Sequence, residues 1–156
     1  MNRLHSYTAS ITWTGNLGTG TSGYRAYGRS HEVAAEGRPT IPGSSDPAFR
    51  GDPARWNPEQ LLLASIAQCH LLWYLHHCAV NGVVVVSYRD EPEGTMAETA
   101  TGGHFTEAVL RPRVEVAEAG MVERALALHR DAHASCFIAN SVNFPVRHDP
   151  TVSVRV

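Results

Sequence analysis

Apolar and polar residues alternate along the opening stretch HSYTASITWTG, placing Tyr7, Ala9, Ile11 and Trp13 on one face of a predicted strand. The turn residues NLGTGTSG follow, and YRAYGRSHEVA then completes a predicted hairpin. From Glu36 to Arg55 the period disappears: EGRPTIPGSSDPAFRGDPAR holds four prolines and three glycines, and reads as a long loop. Asn57-Pro58 then marks a helix start, with Asn as N-cap and Pro in the first turn, where its missing N–H costs nothing. Gly82 closes that helix. Its leucines and Trp73 point all round, and a helix apolar on every side must be covered on every side. A small sheet covers one side, so a second copy of the helix in a homodimer is expected on the other.

Further strands are predicted in VVVVSYRDEP, in HFTEAVLRPRVEVA and in the terminal DPTVSVRV. In the middle one, Val109, Arg111, Arg113 and Glu115 alternate with Leu110, Val114 and Val116. Between the last two, GMVERALALHRDAHASCF repeats apolar positions at helical spacing, as Val122, Leu126 and His129 or as Ala125, Leu128 and Ala132. The order ββ–loop–α–ββ–α–β predicts an α+β fold with a mostly antiparallel sheet, as a single domain over residues 1–156.

Charge narrows the function classes. The formal net charge is −2 and basic residues form no run, so neither nucleic acid nor an anionic membrane is expected as a partner. Lysine is absent and all thirteen basic residues are arginine, which excludes a Schiff-base lysine and a P-loop. The N-terminal MNRLHSYTAS has no apolar signal segment and Gln68, Cys69 and His70 interrupt the most apolar stretch, so a cytoplasmic chain is expected. Three cysteines, an odd number, fit a reducing compartment.

Cys69 falls in the middle of the first helix and Cys136 at the end of the second; Cys78 reads as a small core residue. Glu59 and an arginine-bearing loop precede Cys69, and a fixed guanidinium charge can hold a thiol ionised. His129, His133 and Cys136 share a helix face and offer an alternative, a metal site, though they supply three ligands without an acidic fourth. His70 reads as packing. Trp56, Trp73, Tyr74 and Phe137 are candidates for an apolar pocket, or for plain core.

NPEQLLLASIAQCH, followed some sixty residues later by AHASCFIANSV, resembles the paired signature of the OsmC/Ohr family, the osmotically inducible protein C and organic hydroperoxide resistance proteins. The resemblance implies an OsmC-like fold in an intertwined homodimer and a thiol peroxidase that reduces organic hydroperoxides. It implies Cys69 as peroxidatic thiolate, Cys136 as resolving thiol, Glu59 and one arginine as the groups that keep Cys69 reactive, a dithiol reductant (lipoyl-type in one branch), and no cofactor or metal. Arg50 fits one branch of the family, Arg25 or Arg29 the other; Arg50 is preferred here. The sequence departs from the pattern after the resolving cysteine, where Phe137 replaces the usual proline. His133 is a candidate assistant to Cys136. Ten residues of helix span about 15 Å and turn the two side chains roughly 80° apart, so Glu59 is expected to reach Cys69 only across the dimer. A protein of this fold that binds without turning over is the further alternative.

Overall fold

The computed structural model describes residues 3–155 and holds two compact units, one up to Leu61 and one from Leu62. In the first unit, β1 (Ser10–Trp13), β2 (His31–Ala34) and β3 (Ile41–Gly43) form an antiparallel sheet in that order. The predicted hairpin is the β1–β2 pair, with Ile11 opposite Val33 and Trp13 opposite His31. The stretch expected to be a loop instead supplies β3 and a short 3-10 turn at Pro47–Phe49. Pro42 hides β3 from a periodicity reading, yet proline is compatible with a strand at a sheet edge.

Helix α1 runs unbroken from Pro58 to Val80. Its start is a capping box: Asn57 Oδ1 accepts from the Gln60 N–H at 2.8 Å, and Gln60 Oε1 accepts from the Asn57 N–H at 3.2 Å. Its end is a Schellman motif, in which the Val83 N–H donates to the Cys78 carbonyl at 2.9 Å and the Gly82 N–H to Ala79 at 3.4 Å. Gly82 takes φ 70°, a left-handed conformation that a side chain resists. On α1, Ile66, Ala67, His70, Tyr74 and Cys78 are buried, a stripe at helical spacing, whereas Leu72 and Val80 stay about two-thirds exposed at 64% and 65%. The apolar girth read in the sequence therefore has one covered and one uncovered side in the single chain.

The second unit carries two three-stranded sheets. One orders β4 (Val85–Arg89), β7 (Arg113–Val116) and β9 (Thr151–Val154); the other orders β5 (Glu93–Thr99), β6 (Gly102–Leu110) and β8 (Val146–His148). β4–β7 and β5–β6 are antiparallel, β7–β9 and β6–β8 parallel, so the α+β expectation holds with mixed sheets. The single strand expected over residues 104–117 breaks at the buried Pro112, which has no N–H for a ladder; β6 ends at Leu110 and β7 begins in the other sheet. β5 and β8 were not expected. β5 is exposed along almost its whole length, so nothing in its composition had to alternate.

Helix α2 (Val122–Ser135) buries Ala125, Leu128, His129 and Ala132, the second of the two predicted stripes joined by His129. These residues pack with Tyr74 and Cys78 of α1 and with Val114 and Val116 of β7, while Ile66 and Ala67 pack with Ala108 and Leu110 of β6. Among the described residues no helix is long and apolar enough to cross a membrane. Because Gly82 relieves a left-handed turn, Gly82→Ala is expected to lower stability by about 1 kcal/mol in urea unfolding without changing the fold.

Candidate active site

The two cysteines that the sequence sets 67 residues apart become neighbours. Cys69 lies half-buried on the fourth turn of α1, and Cys136 is the buried C-cap residue of α2, where the chain leaves helical geometry with ψ 107°. The Cys69 thiol is near enough to act on the ionisation of the Cys136 thiol. Both are free, as is the buried Cys78, which belongs to the core cluster as expected. Cys136 Sγ also accepts the Ala139 N–H at 3.4 Å and points its own hydrogen toward the Ile66 carbonyl at 4.0 Å. The 3-10 turn at Ala139–Ser141 presents that N–H. Burial pushes the Cys136 thiol up to about 11; the Ala139 N–H works the other way, and the Cys69 thiol beside it adds to the rise. Cys136 therefore stays protonated at neutral pH.

Glu59, Arg50, Arg25 and Arg29 belong to the unit that ends at Leu61. Glu59 is half-buried, and its Oε2 is buried with no hydrogen-bond partner among the described residues. Arg50 follows the Pro47–Phe49 turn with φ 65°, the one non-glycine residue with positive φ among those described, and its exposed guanidinium lies 5.9 Å from the Tyr24 ring centre. Backbone strain of this kind costs about 1 kcal/mol or more and holds a side chain where an ordinary turn would not. Arg29 is committed locally, with its guanidinium over Tyr24 and Tyr27 and bonded to both their carbonyls. Arg25 is exposed.

Of the aromatic candidates, Tyr74 is wholly buried and its hydroxyl donates to the Ala125 carbonyl at 3.2 Å, so it is core and not pocket lining. Trp73 meets Phe137 edge to face at 5.3 Å, beside an open hollow of about 280 Å³ lined by Leu72, Trp73 and His76. Phe137 is 66% exposed. Trp56, in the other unit, borders a separate hollow with Pro53 and Gln60.

His129, His133 and Cys136 do not converge as a ligand set. His129 Nδ1 is bonded to His70, the His133 ring faces His148 at 5.3 Å, and only the His133 carbonyl contacts Cys136, by accepting its N–H. Among the described residues no group of three or more His, Cys, Asp or Glu is arranged to hold a metal ion. Sequence reasoning missed the Ala139 N–H and the Ser135 hydroxyl, 3.0 Å from His77 Nε2, because both lie where α2 stops and no periodicity marks such an end.

Residues 51–150 match the family described as OsmC-like protein. Among solved structures the chain is similar to an OsmC-like protein of unknown function from Vibrio cholerae, at 28% identity and TM-score 0.84, with 94% of this chain and 99% of that one covered. It is also similar in fold to an organic hydroperoxide resistance protein from Elizabethkingia anophelis (17% identity, TM-score 0.70, 99% and 100% covered). An organic hydroperoxide resistance protein OsmC from Legionella pneumophila gives 19%, 0.66, 98% and 100%. No curated protein matches the chain. A thiol raised by two pKa units has about a hundredfold less thiolate, so iodoacetamide at pH 8 should alkylate Cys136 about a hundredfold more slowly in the native protein than in urea. Equal rates by peptide mass spectrometry would contradict the burial account.

Proposed function

We propose that this chain, which belongs to the OsmC-like protein family, is a cysteine-based peroxidase that reduces organic hydroperoxides to alcohols. The observation that carries the reading is the adjacency of the Cys69 and Cys136 thiols, one half-buried and one buried. Relatives of the same fold named for organic hydroperoxide resistance supply the substrate class.

In the proposed cycle the Cys69 thiolate attacks the terminal oxygen of the hydroperoxide. The O–O bond breaks, Cys69 becomes a sulfenic acid, and the alkoxide takes a proton and leaves as the alcohol. Cys136 then attacks the sulfenic sulfur, its thiol proton and the hydroxide departing together as water, and a Cys69–Cys136 disulfide remains. A dithiol, of lipoyl type by family resemblance, restores both thiols by exchange and is itself oxidised to a disulfide. The influence of the Cys69 thiol on the Cys136 thiol supports a resolution step that needs no long movement. Its raised pKa fits a thiol that waits protonated and loses its proton as the bond forms.

Glu59 and Arg50 are the proposed partners that hold Cys69 reactive, with Arg29 or Arg25 as the alternative source of the cation. An arginine cannot lose its charge, and the unpartnered Glu59 oxygen leaves a carboxylate free to orient one. A homodimer supports this assignment in two ways. It covers Leu72, Leu75 and Val80 on α1, and it offers Glu59 of one copy a route to Cys69 of the other. The hollow at Trp73 is a fitting place for a hydrocarbon tail. A cytoplasmic setting suits three free thiols.

Following consumption of cumene hydroperoxide with a dithiol reductant, Cys69→Ser is expected to fall to the uncatalysed background. Cys136→Ser should consume about two equivalents, one to form the Cys69 sulfenic acid and one to carry it to the sulfinic acid, and then stall. Undiminished turnover by Cys69→Ser would remove the peroxidase reading in favour of a binding protein. In the same assay, Arg50→Ala should lower kcat/KM by about tenfold or more while Arg25→Ala leaves it unchanged, the loss of a charge-assisted contact being worth about 1.5–3 kcal/mol. The reverse order would move the cation to the hairpin.

A further inference from the structure

Four histidines outside the proposed chemistry converge on one buried place: His70 of α1, His129 and His133 of α2, and His148 at the end of β8. His70 and His129 have no exposed surface. His70 Nε2 and His129 Nδ1 stand 3.0 Å apart, the ring planes are within 6°, and the ring centres are 5.3 Å apart. Those three values together require rings that lie end to end in one plane, bonded nitrogen to nitrogen. A face-to-face pair would bring the centres much closer, as Tyr74 and His129 are at 3.8 Å.

An end-to-end imidazole pair holds one proton between its rings, so one ring donates and the other accepts. Among the described residues the outer nitrogens, His70 Nδ1 and His129 Nε2, are both buried without a partner, as is His133 Nδ1. Whichever way the shared proton is assigned, one outer nitrogen carries a hydrogen with no acceptor and the other is a bare acceptor. The pair is therefore satisfied only in its middle: a first added proton on the bare outer nitrogen keeps the central bond but buries a charge, and a second breaks the bond. Protonating both rings would set two N–H groups against each other at 3.0 Å.

We propose that these histidines form an acid-sensitive latch joining α1, α2 and the end of β8, which holds the Cys69–Cys136 pair in register when neutral and releases it when protonated. The latch and the thiols share their supports: His70 follows Cys69 on α1, and His133 lies one turn before Cys136 on α2. Loosening the contact between the helices separates the sulfurs in the same motion.

Among the described residues no neighbouring group offsets the charge. From α1 the stack meets Tyr74, whose ring lies on His129, and from β4 Tyr88 lies behind Tyr74; burial raises both phenols, which stay neutral. From α2 the titratable neighbour is His133, with Arg130 exposed and Asp131 half-buried beside His129 in sequence. From β8, Arg147 is paired with Glu107, and Asp149 just beyond His148 is exposed. Among the described residues no carboxylate lies within ion-pair distance of any of the four rings. The charges that act on His70 and His129 are those of the other histidines, and they repel.

Burial, reinforced by that repulsion, lowers His70 to about 4 and His129 to about 3, and His148 is lowered for the same reasons. Both values lie below the ordinary 6.5 of an unfolded histidine, so the unfolded chain binds protons that the folded chain refuses. Stability is complete above about pH 6.5 and falls as the pH drops toward 4, by up to about tenfold in the folding constant per pH unit for each ring.

The test compares wild type with H70Q/H129N, in which Gln and Asn place neutral amide groups where the bonded ring nitrogens stood and cannot take a proton. Two readouts are followed from pH 7.5 to 3: the urea unfolding constant, and the rate at which diamide joins Cys69 to Cys136. Wild type should lose stability more steeply than the variant, by about tenfold to a hundredfold per pH unit below 6.5. Its crosslinking should keep pace with the variant's down to pH 5 and fall at least tenfold further between pH 5 and 3. Parallel profiles for the two proteins would overturn the latch. Should the variant not fold, ring-proton NMR of the wild type decides: His70 and His129 remaining neutral at pH 5, with the Cys69–Cys136 crosslinking rate falling as they begin to titrate, supports it, and titration of either near 6.5 refutes it. Neither readout uses a hydroperoxide, so the outcome is independent of the proposed activity.

Discussion

The contact between α1 and α2 is the constraint from which the site follows. It is made by side chains: Tyr74 reaches across to the Ala125 carbonyl, lies flat on His129, and packs with Leu128 and Ala132 in one core cluster. Filling the space with a wholly buried tyrosine leaves the hydroxyl no choice but a protein acceptor, and the backbone carbonyl of α2 provides it. Once α1 and α2 are locked at Tyr74, His70 one turn earlier must meet His129, and Cys69 and the end of α2 are brought to the same level. The thiol pair is thus a consequence of core packing, and its geometry is as stiff as that core.

Chemistry and stability meet on the same two helices. The stretch of α1 from Ile66 to Tyr74 contributes core, a thiol, and a buried imidazole in succession. Burial raises the Cys136 thiol and lowers the histidines, and both shifts favour neutral groups, as expected where apolar side chains dominate and no counter-charge is present. A reactive thiolate in such surroundings needs a charge brought to it, which is why the assignment of an arginine matters more here than it would on an open surface.

Much of this is legible in the sequence. Asn57, Pro58 and Gly82 gave both ends of α1, because capping and left-handed turns are local chemistry. The buried stripe of α2 was one of two readings, and the hairpin opening was correct. Other features escaped for physical reasons. Pro112 turns one apparent strand into two in different sheets, and alternation runs straight through it. β5 buries too little to leave a pattern, and β3 hides behind Pro42. The histidine stack draws on α1, α2 and β8; His148 joins it only through a parallel pairing of β8 with β6, which no spacing encodes. Cys69 and Cys136 were paired by family resemblance, not by spacing, and Tyr74, a pocket candidate, proved to be core.

The adjacency of two thiols is the claim on which the functional account rests, and counting sulfurs tests it most directly. Free thiols are titrated before and after one equivalent of an organic hydroperoxide, and the oxidised chain is mapped by peptide mass spectrometry. Loss of two thiols per chain with a Cys69–Cys136 linked peptide is the predicted result. Retention of all three, or a disulfide that includes Cys78 in place of either partner, would contradict it.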